Sequence, residues 1–336
     1  MKKKILFICG SLNQTTMMHQ ISKYFDDHDC YFTPYYADGI INYAVSKGFL
    51  NFSILNGTFR KNTEKYLNDN NLKIDYRGQN NDYDLVYTCA DLIYPKNIRD
   101  KKVILVQEGM TDPENLMFYL VKYLKLPRWL ASTSTMGMSN LYDFFCVASY
   151  GYRDFFIKRK SVSPNKIIVT GIPNFDDFKK YFNNNFPYKN YVLVCTSDAR
   201  ETFKFENRKK FLKQCVEIAD GKQLIFKLHP NEKFDRAIKE INKYAPGSLI
   251  FTDGNTNEMI ANCDTLITQY SSTSFVGLAL GKEVYSYFNV DELKRLLPLQ
   301  NNGTSAERIA RVGLYLLENP NFNSEKVINE FNLRTT

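Results

Sequence analysis

Short apolar runs rich in Val, Ile, Leu and Phe recur along the whole chain, each about five residues long, and alternate with stretches whose apolar residues fall at helical spacing. A run that is apolar throughout suits a strand covered on both faces. Parallel strands also need a long crossover between them, which a helix supplies. The alternation therefore predicts an α/β protein built from doubly wound parallel sheets. Strands are expected at residues 4–9, 30–33, 72–75, 84–88, 103–107, 144–148 and 167–170, with helices such as 15–25 and 114–124 between them. A second series has strands at 191–196, 223–228, 249–252, 265–268 and 283–287. Its helices are expected at 208–219, 234–244, 256–262 and 273–280, followed by terminal helices at 305–317 and 324–331.

The chain has 336 residues, beyond the roughly 150 of one ordinary domain. With 44% hydrophobic residues, each of two halves can bury its own core. The Asn-rich, proline-bearing stretch Asn183-Asn184-Asn185-Phe186-Pro187 is the candidate linker. The expected division is 1–186 for a first Rossmann-like domain, 187–318 for a second, and 319–336 for a helix packing back on the first. No repeat of solenoid length is present.

The charged start, Met1 to Lys4, leads into an apolar run that ends at Gly10, too short for a signal-peptide core or a membrane span. Seven cysteines, an odd number without C-x-x-C spacing, read as reduced thiols of a cytoplasmic protein and provide no zinc site. The net charge of +8 comes from scattered lysines and arginines with no nucleic-acid-binding module, so no nucleic-acid partner is expected. One basic and aromatic stretch, Lys122-Tyr123-Leu124-Lys125-Leu126-Pro127-Arg128-Trp129-Leu130, suits either helix-end packing or peripheral contact with the inner face of a membrane.

Three segments carry candidate chemistry. In the first, strand 265–268 runs into Gln269-Tyr270-Ser271-Ser272-Thr273, so hydroxyls and free backbone N–H groups meet at a helix start. One hydroxyl suffices for a cap, whereas a run of them suits a phosphate, with Ser271, Ser272 and Thr273 as its ligands and Gln269 beside them. In the second, strand 223–228 delivers His229 to its end, and Pro230 stops it. His229 can donate a hydrogen bond to a phosphate oxygen, and Lys227, two residues earlier and so on the same side, adds charge. His19 and His28 read as a helix residue and a surface residue. The third segment ends strand 103–107 with Glu108 and Gly109, a carboxylate suited to accept a proton from an attacking hydroxyl.

Further candidates come from loop positions. Gly10, Ser11, Asn13 and Thr15 follow the first strand and either line a substrate or cap a helix; G-x-G-x-x-G and the P-loop lysine are both absent. Ser197 and Arg200 follow strand 191–196 and could reach the donor. Phe251, Thr252, Asp253 and Gly254 could read a base, and Asn255 or Glu258 a ribose.

Glu108-Gly109, His229-Pro230 and Ser271-Ser272, in that order, resemble the motifs of bacterial sialyltransferases and polysialyltransferases, and the His-Pro and Tyr-Ser-Ser segments also resemble Kdo-type capsule transferases. Here Gln107 stands where the sialyltransferases carry a second acidic residue. The His-Pro and Tyr-Ser-Ser segments are also similar to CDP-glycerol glycerophosphotransferases, although those usually offer His-Gly where this chain has Glu108-Gly109. Val169-Thr170-Gly171-Ile172-Pro173-Asn174-Phe175-Asp176 resembles a passage of UDP-N-acetylglucosamine 2-epimerases, whose histidine-arginine pair and aspartate-serine-glycine-glycine loop are not found here.

These resemblances imply a GT-B fold, two Rossmann-like domains facing each other across a cleft. They also imply an inverting glycosyltransferase using a nucleotide-activated donor, favoured as CMP-linked sialic acid or Kdo, on a hydroxyl of a surface glycan or glycolipid such as capsule or lipopolysaccharide. Glu108 would be the base and His229 the group that eases departure of the phosphate. Lysine, histidine and a helix terminus can neutralise the phosphate, so no metal or other cofactor is expected. The alternatives are a glycerophosphotransferase, a 2-epimerase-like enzyme, and a nucleotide-sugar-binding protein without catalysis.

Overall fold

The apolar runs build two separate parallel sheets. The structure, a computed structural model, describes residues 2–51, 53–201 and 206–333. The chain divides into unit 1, Met1–Asp176 with Asn301–Thr336, and unit 2, Asp177–Gln300.

Unit 1 runs β1 (Lys4–Cys9), α1 (Leu12–Ser22), β2 (Asp29–Pro34), α2 (Gly39–Ser46), α3 (Gly57–Asp69), β3 (Leu85–Thr88), β4 (Lys102–Val106), α4 (Leu116–Leu124), β5 (Phe144–Val147), α5 (Tyr150–Lys160) and β6 (Ile167–Val169). The strands pair in the order β2-β1-β3-β4-β5-β6, all parallel. Phe7 on β1 stacks between Phe32 and Tyr87 of the neighbouring strands, with ring centroids 5.2 Å away on each side. Each such fully buried side chain contributes about 1.5–3 kcal/mol.

The strand expected at 72–75 is reduced to one bridge, Ile74 to Phe32. Asp75 ends it: its carboxylate accepts from the backbone of Gln79 and Asn80, the side chains of Asn80 and Asn81, and Tyr83 Oη at 2.5 Å, which turns the chain away from the sheet. Helices α2, α3 and α5 lie between strands, as the alternation predicts, although the pattern sets no bounds for them. α2 buries no residue and α3 buries only Thr63 and Leu67, so neither carries a strong apolar stripe.

Unit 2 contains β7 (Val192–Cys195), α6 (Arg208–Ala219), β8 (Leu224–Lys227), α7 (Phe234–Tyr244), β9 (Leu249–Phe251), α8 (Thr256–Asn262), β10 (Thr265–Thr268), α9 (Thr273–Ala279), β11 (Glu283–Tyr285) and α10 (Val290–Leu296). Its sheet order is β11-β10-β7-β8-β9, again all parallel. One face of α6, with Phe211, Leu212, Cys215 and Ala219, meets Ala237 and Ile241 of α7 over Val192, Val194 and Phe226. Asn207 caps α6 by accepting from Lys210 N at 3.1 Å.

The chain then returns to unit 1 with α11 (Ser305–Glu318) and α12 (Ser324–Leu333). Tyr87 Oη donates to Ile309 O at 3.0 Å and Lys102 Nζ to Leu316 O at 2.6 Å, fixing α11 to the first sheet. Asn332 Oδ1 accepts from Val169 N at 3.0 Å, continuing the edge of β6 with α12. The divisions thus fall at 176/177 and 300/301, where 186/187 and 318/319 were expected. The Asn-rich stretch is fastened to unit 2, since Asn184 and Asn262 exchange amide hydrogen bonds of 3.0 Å in both directions.

Gly171 sits at the end of β6 with φ +75°, and a Cβ there would lie 2.3 Å from Ser305 Oγ and 2.4 Å from Asn301 Nδ2. Ser305 N donates to Asp176 Oδ2 at 2.7 Å. The epimerase-like passage 169–176 therefore seats the returning α11.

Candidate functional site

In a parallel sheet the strand carboxyl ends share one edge, and ligands bind where the strand order reverses. Unit 1 reverses between β1 and β3, unit 2 between β7 and β10. The candidate residues fall on these two edges and are described unit by unit.

On unit 1, the loop after β1 and the residue after β4 join. Ser11 caps α1 by accepting from Gln14 N at 3.2 Å and donates from Oγ to Glu108 Oε1 at 2.8 Å. Gln14 Nε2 donates to Glu108 Oε2 at 2.6 Å. Gly10 permits this approach, since a Cβ would lie 2.1 Å from Gln14 Oε1. Glu108 is half-buried, with each oxygen retaining a second lone pair for an incoming proton. Gln107, fully buried, props the turn: its amide donates to Gly109 O at 2.8 Å and its carbonyl accepts from Ala148 N at 2.9 Å. A carboxylate at 107 would lose the first of these bonds.

Thr15 departs from expectation, because it is wholly buried and spends its hydroxyl on Ser11 O at 2.7 Å; it lines no surface. Asn13 is exposed and its carbonyl receives Asn174 Nδ2 at 3.2 Å. Gly109 stays half-exposed against Phe175, whose ring would lie 3.4 Å from an added Cβ.

On unit 2, the loops after β7, β8 and β10 are stitched together. Ser197 Oγ donates to Gln269 Oε1 at 2.6 Å, bridging the reversal point. His229 N donates to Thr196 Oγ1 and to Glu232 Oε2, both at 3.1 Å. The His229 ring is partly exposed; its Nδ1 accepts from Asn231 N at 3.2 Å and lies 3.8 Å from Asp198 Oδ2. That bond leaves Nε2 as the protonated nitrogen of the neutral ring. Pro230 beside it is exposed.

In the hydroxyl run, Ser271 Oγ accepts from Thr273 N at 3.2 Å and from Thr273 Oγ1 at 2.9 Å, while Ser272 is exposed and makes no side-chain cap bond. The run therefore folds as a small hydroxyl cluster. Exposed Tyr270 meets Tyr287 edge-on at 5.4 Å, giving an aromatic surface beside it that the sequence reading passed over.

Two expected cations are turned to other partners. Lys227 is buried, and its ammonium donates to Leu228 O at 3.1 Å and Thr252 O at 3.3 Å, holding the β8 and β9 ends together. Arg200 pairs bidentately with Glu240 at 2.9 Å on both arms, and this carboxylate holds its pKa above the ordinary value. Arg200 belongs to a cluster that sequence reasoning missed. Arg208 reaches Glu232 at 2.7 Å and Glu206 at 3.1 Å, and Glu206 also accepts from Gln269 Nε2 at 3.1 Å. A charge at the first turn of α6 has no apolar period to betray it.

The base-reading candidates begin with the last residue of edge strand β9 and continue past it. Phe251 packs against Phe186 at 5.4 Å, whereas Thr252, Asp253 and Gly254 are exposed. Asn255 caps α8 through Asn257 N at 3.0 Å and donates to Glu258 Oε1 at 2.9 Å, so these two residues engage each other.

No family model matches the chain, and no curated protein matches it. Solved structures do. A UDP-N-acetylglucosamine 2-epimerase superposes with a TM-score of 0.56 at 13% identity, over 96% of this chain and 98% of that one. The wall teichoic acid polymerase TagF, H444N variant, gives 0.51 at 12% over 95% and 90%. A glycosyltransferase from Rickettsia africae ESF-5 gives 0.50 at 14% over 99% and 93%. At such identities the likeness establishes architecture: the chain has the two-domain α/β fold of the GT-B type.

Proposed function

We propose that the chain is a nucleotide-sugar-dependent glycosyltransferase. The observation that carries this reading is that His229 and the Ser271–Thr273 hydroxyls end neighbouring parts of one sheet edge, on either side of β7, with Ser197 and Gln269 joining the loops at the reversal point. Such an edge suits a donor phosphate: hydroxyls and backbone N–H groups from Ser271, Ser272 and Thr273 receive it, and His229 donates through Nε2 to the leaving oxygen. On unit 1, Glu108 takes the proton of the acceptor hydroxyl as that oxygen attacks the anomeric carbon and the bond to phosphate breaks, inverting the centre. In this reading Lys227 and Arg200 hold the loops in place, while the sugar nucleotide is a substrate and no cofactor takes part.

Melting curves with CMP, CDP, UDP and GDP test the nucleotide step, since a ligand at 100 times its Kd stabilises by about 2.7 kcal/mol. The sequence motifs favour a CMP-linked acidic sugar, whereas the name of the epimerase neighbour carries a UDP sugar. Separate incubations with CMP-sialic acid, CMP-Kdo, CDP-glycerol and UDP-N-acetylglucosamine therefore follow, reading released nucleotide. A protein whose melting responds to no nucleotide would sink the proposal. The likeness to the epimerase favours one second reading, in which UDP-N-acetylglucosamine is epimerised at C2 with no acceptor present.

A further inference from the structure

We propose that the α4 surface of unit 1 docks on an anionic lipid bilayer, an inference independent of the transferase reading. α4 has the sequence LMFYLVKYL, apolar nearly all round, yet it buries only Phe118 and Val121. Leu116, Tyr123 and Leu124 are 76%, 72% and 64% exposed, and Leu126, Trp129 and Leu130 continue the exposed surface past its end. A helix apolar on every side normally lies inside a protein, and a contiguous exposed patch of this kind marks a docking surface.

Charge selects the occupant. From Asn115 to Tyr142 the chain carries Lys122, Lys125 and Arg128 and no acidic residue. Arg128 is held by Asp91 at 2.8 Å, but Lys125 is exposed. Lys122 Nζ donates to Arg159 O at 3.0 Å, which brings the end of α5 alongside, where Lys158 and Arg159 are 74% and 60% exposed but lie 3.9 Å from Asp154 and 3.6 Å from Glu114, so Lys125 is the main cation offered to the bilayer. Apolar side chains bordered by lysine, with tyrosine and tryptophan among them, match the acyl and headgroup layers of an anionic membrane face. Among the described residues no helix is long and apolar enough to cross a bilayer, so the contact is peripheral.

Trp129 is the chain's one tryptophan, and it lies in the patch, so its fluorescence reports the contact directly. The full chain is mixed with vesicles of phosphatidylcholine and phosphatidylglycerol in equal parts, or of phosphatidylcholine alone, and then sedimented. Expected are co-sedimentation and a blue-shifted Trp129 emission with the anionic vesicles. Both should be lost in Leu116→Gln/Leu124→Gln, and Lys125→Gln should lower partitioning about fivefold. These positions are exposed, so the variants should melt as the parent does. Any of three results overturns the proposal: no shift with anionic vesicles, equal binding to neutral ones, or binding unchanged in the double variant. Concentration-dependent self-association that the double variant abolishes, with no vesicle binding, would assign the patch to a second copy and overturn it as well.

Discussion

Gln14 Nε2 and Ser11 Oγ each hold one oxygen of Glu108, at 2.6 and 2.8 Å, so the first turn of α1 fixes a carboxylate that β4 delivers. Both donors are neutral, and neither forms an ion pair that would have to be broken on protonation. The orientation survives a change at 108 better than proton acceptance does.

Glu108→Gln should therefore leave nucleotide-induced stabilisation intact while lowering kcat for transfer by about 10² to 10⁴. The two readouts are thermal shift with nucleotide and nucleotide release with acceptor. Parental turnover in Glu108→Gln would remove Glu108 from the mechanism.

Gln107→Glu sets a second carboxylate beside Glu108 but removes the donor facing Gly109 O. Leaving that carbonyl opposite a buried carboxylate should destabilise by about 1 to 3 kcal/mol, measured by urea unfolding. Any gain in transfer without loss of stability would contradict the strut role of Gln107.

The fold was legible because β5, β6 and β7 are buried along their length and so read as unbroken apolar runs. The boundaries were less so. Asn183 to Asn185 have linker composition, yet the pairing of Asn184 with Asn262 depends on a residue 78 positions away. At the candidate site, strand ends located Glu108, His229 and Ser271 correctly on sheet edges. Partners remained invisible: alternation gives the side on which Lys227 emerges, but not that the carbonyl of Thr252 waits there.

Asp75 gives a pH dependence. Burial opposes its charge, but hydrogen bonds from Tyr83, Asn81 and the backbone of Asn80 and Gln79 outweigh that, holding its pKa below the ordinary 3.8. A depressed carboxylate contributes stability that is complete above the unfolded value and disappears as pH falls through the folded one. Asp75→Ala should therefore be less stable than the parent at pH 7, and the gap should close below about pH 3.8. Urea midpoints at several pH values test this; a gap that widens in acid would be the wrong sign.

Arg208 supports the unit 2 edge from beneath. Its side chain is 4% exposed and those of Glu206 and Glu232 are 3% and 1%, so the three charges depend on each other for solvation. The first turn of a helix disfavours a cation, which leaves the two glutamates as the reason it stays. Arg208→Met takes the guanidinium from Glu232, while Glu206 keeps Arg200 Nε at 3.2 Å, and should cost about 3 to 5 kcal/mol in urea unfolding, the usual penalty for removing one partner of a buried pair. Glu232 also receives His229 N and Thr196 Oγ1, so the same variant should weaken nucleotide binding. Adding Glu232→Gln to Arg208→Met removes one orphaned charge and should recover part of the stability, a coupling that a double-mutant cycle reads directly. If the two changes are instead additive, Arg208 and Glu232 act separately and the cluster does not hold the His229 loop.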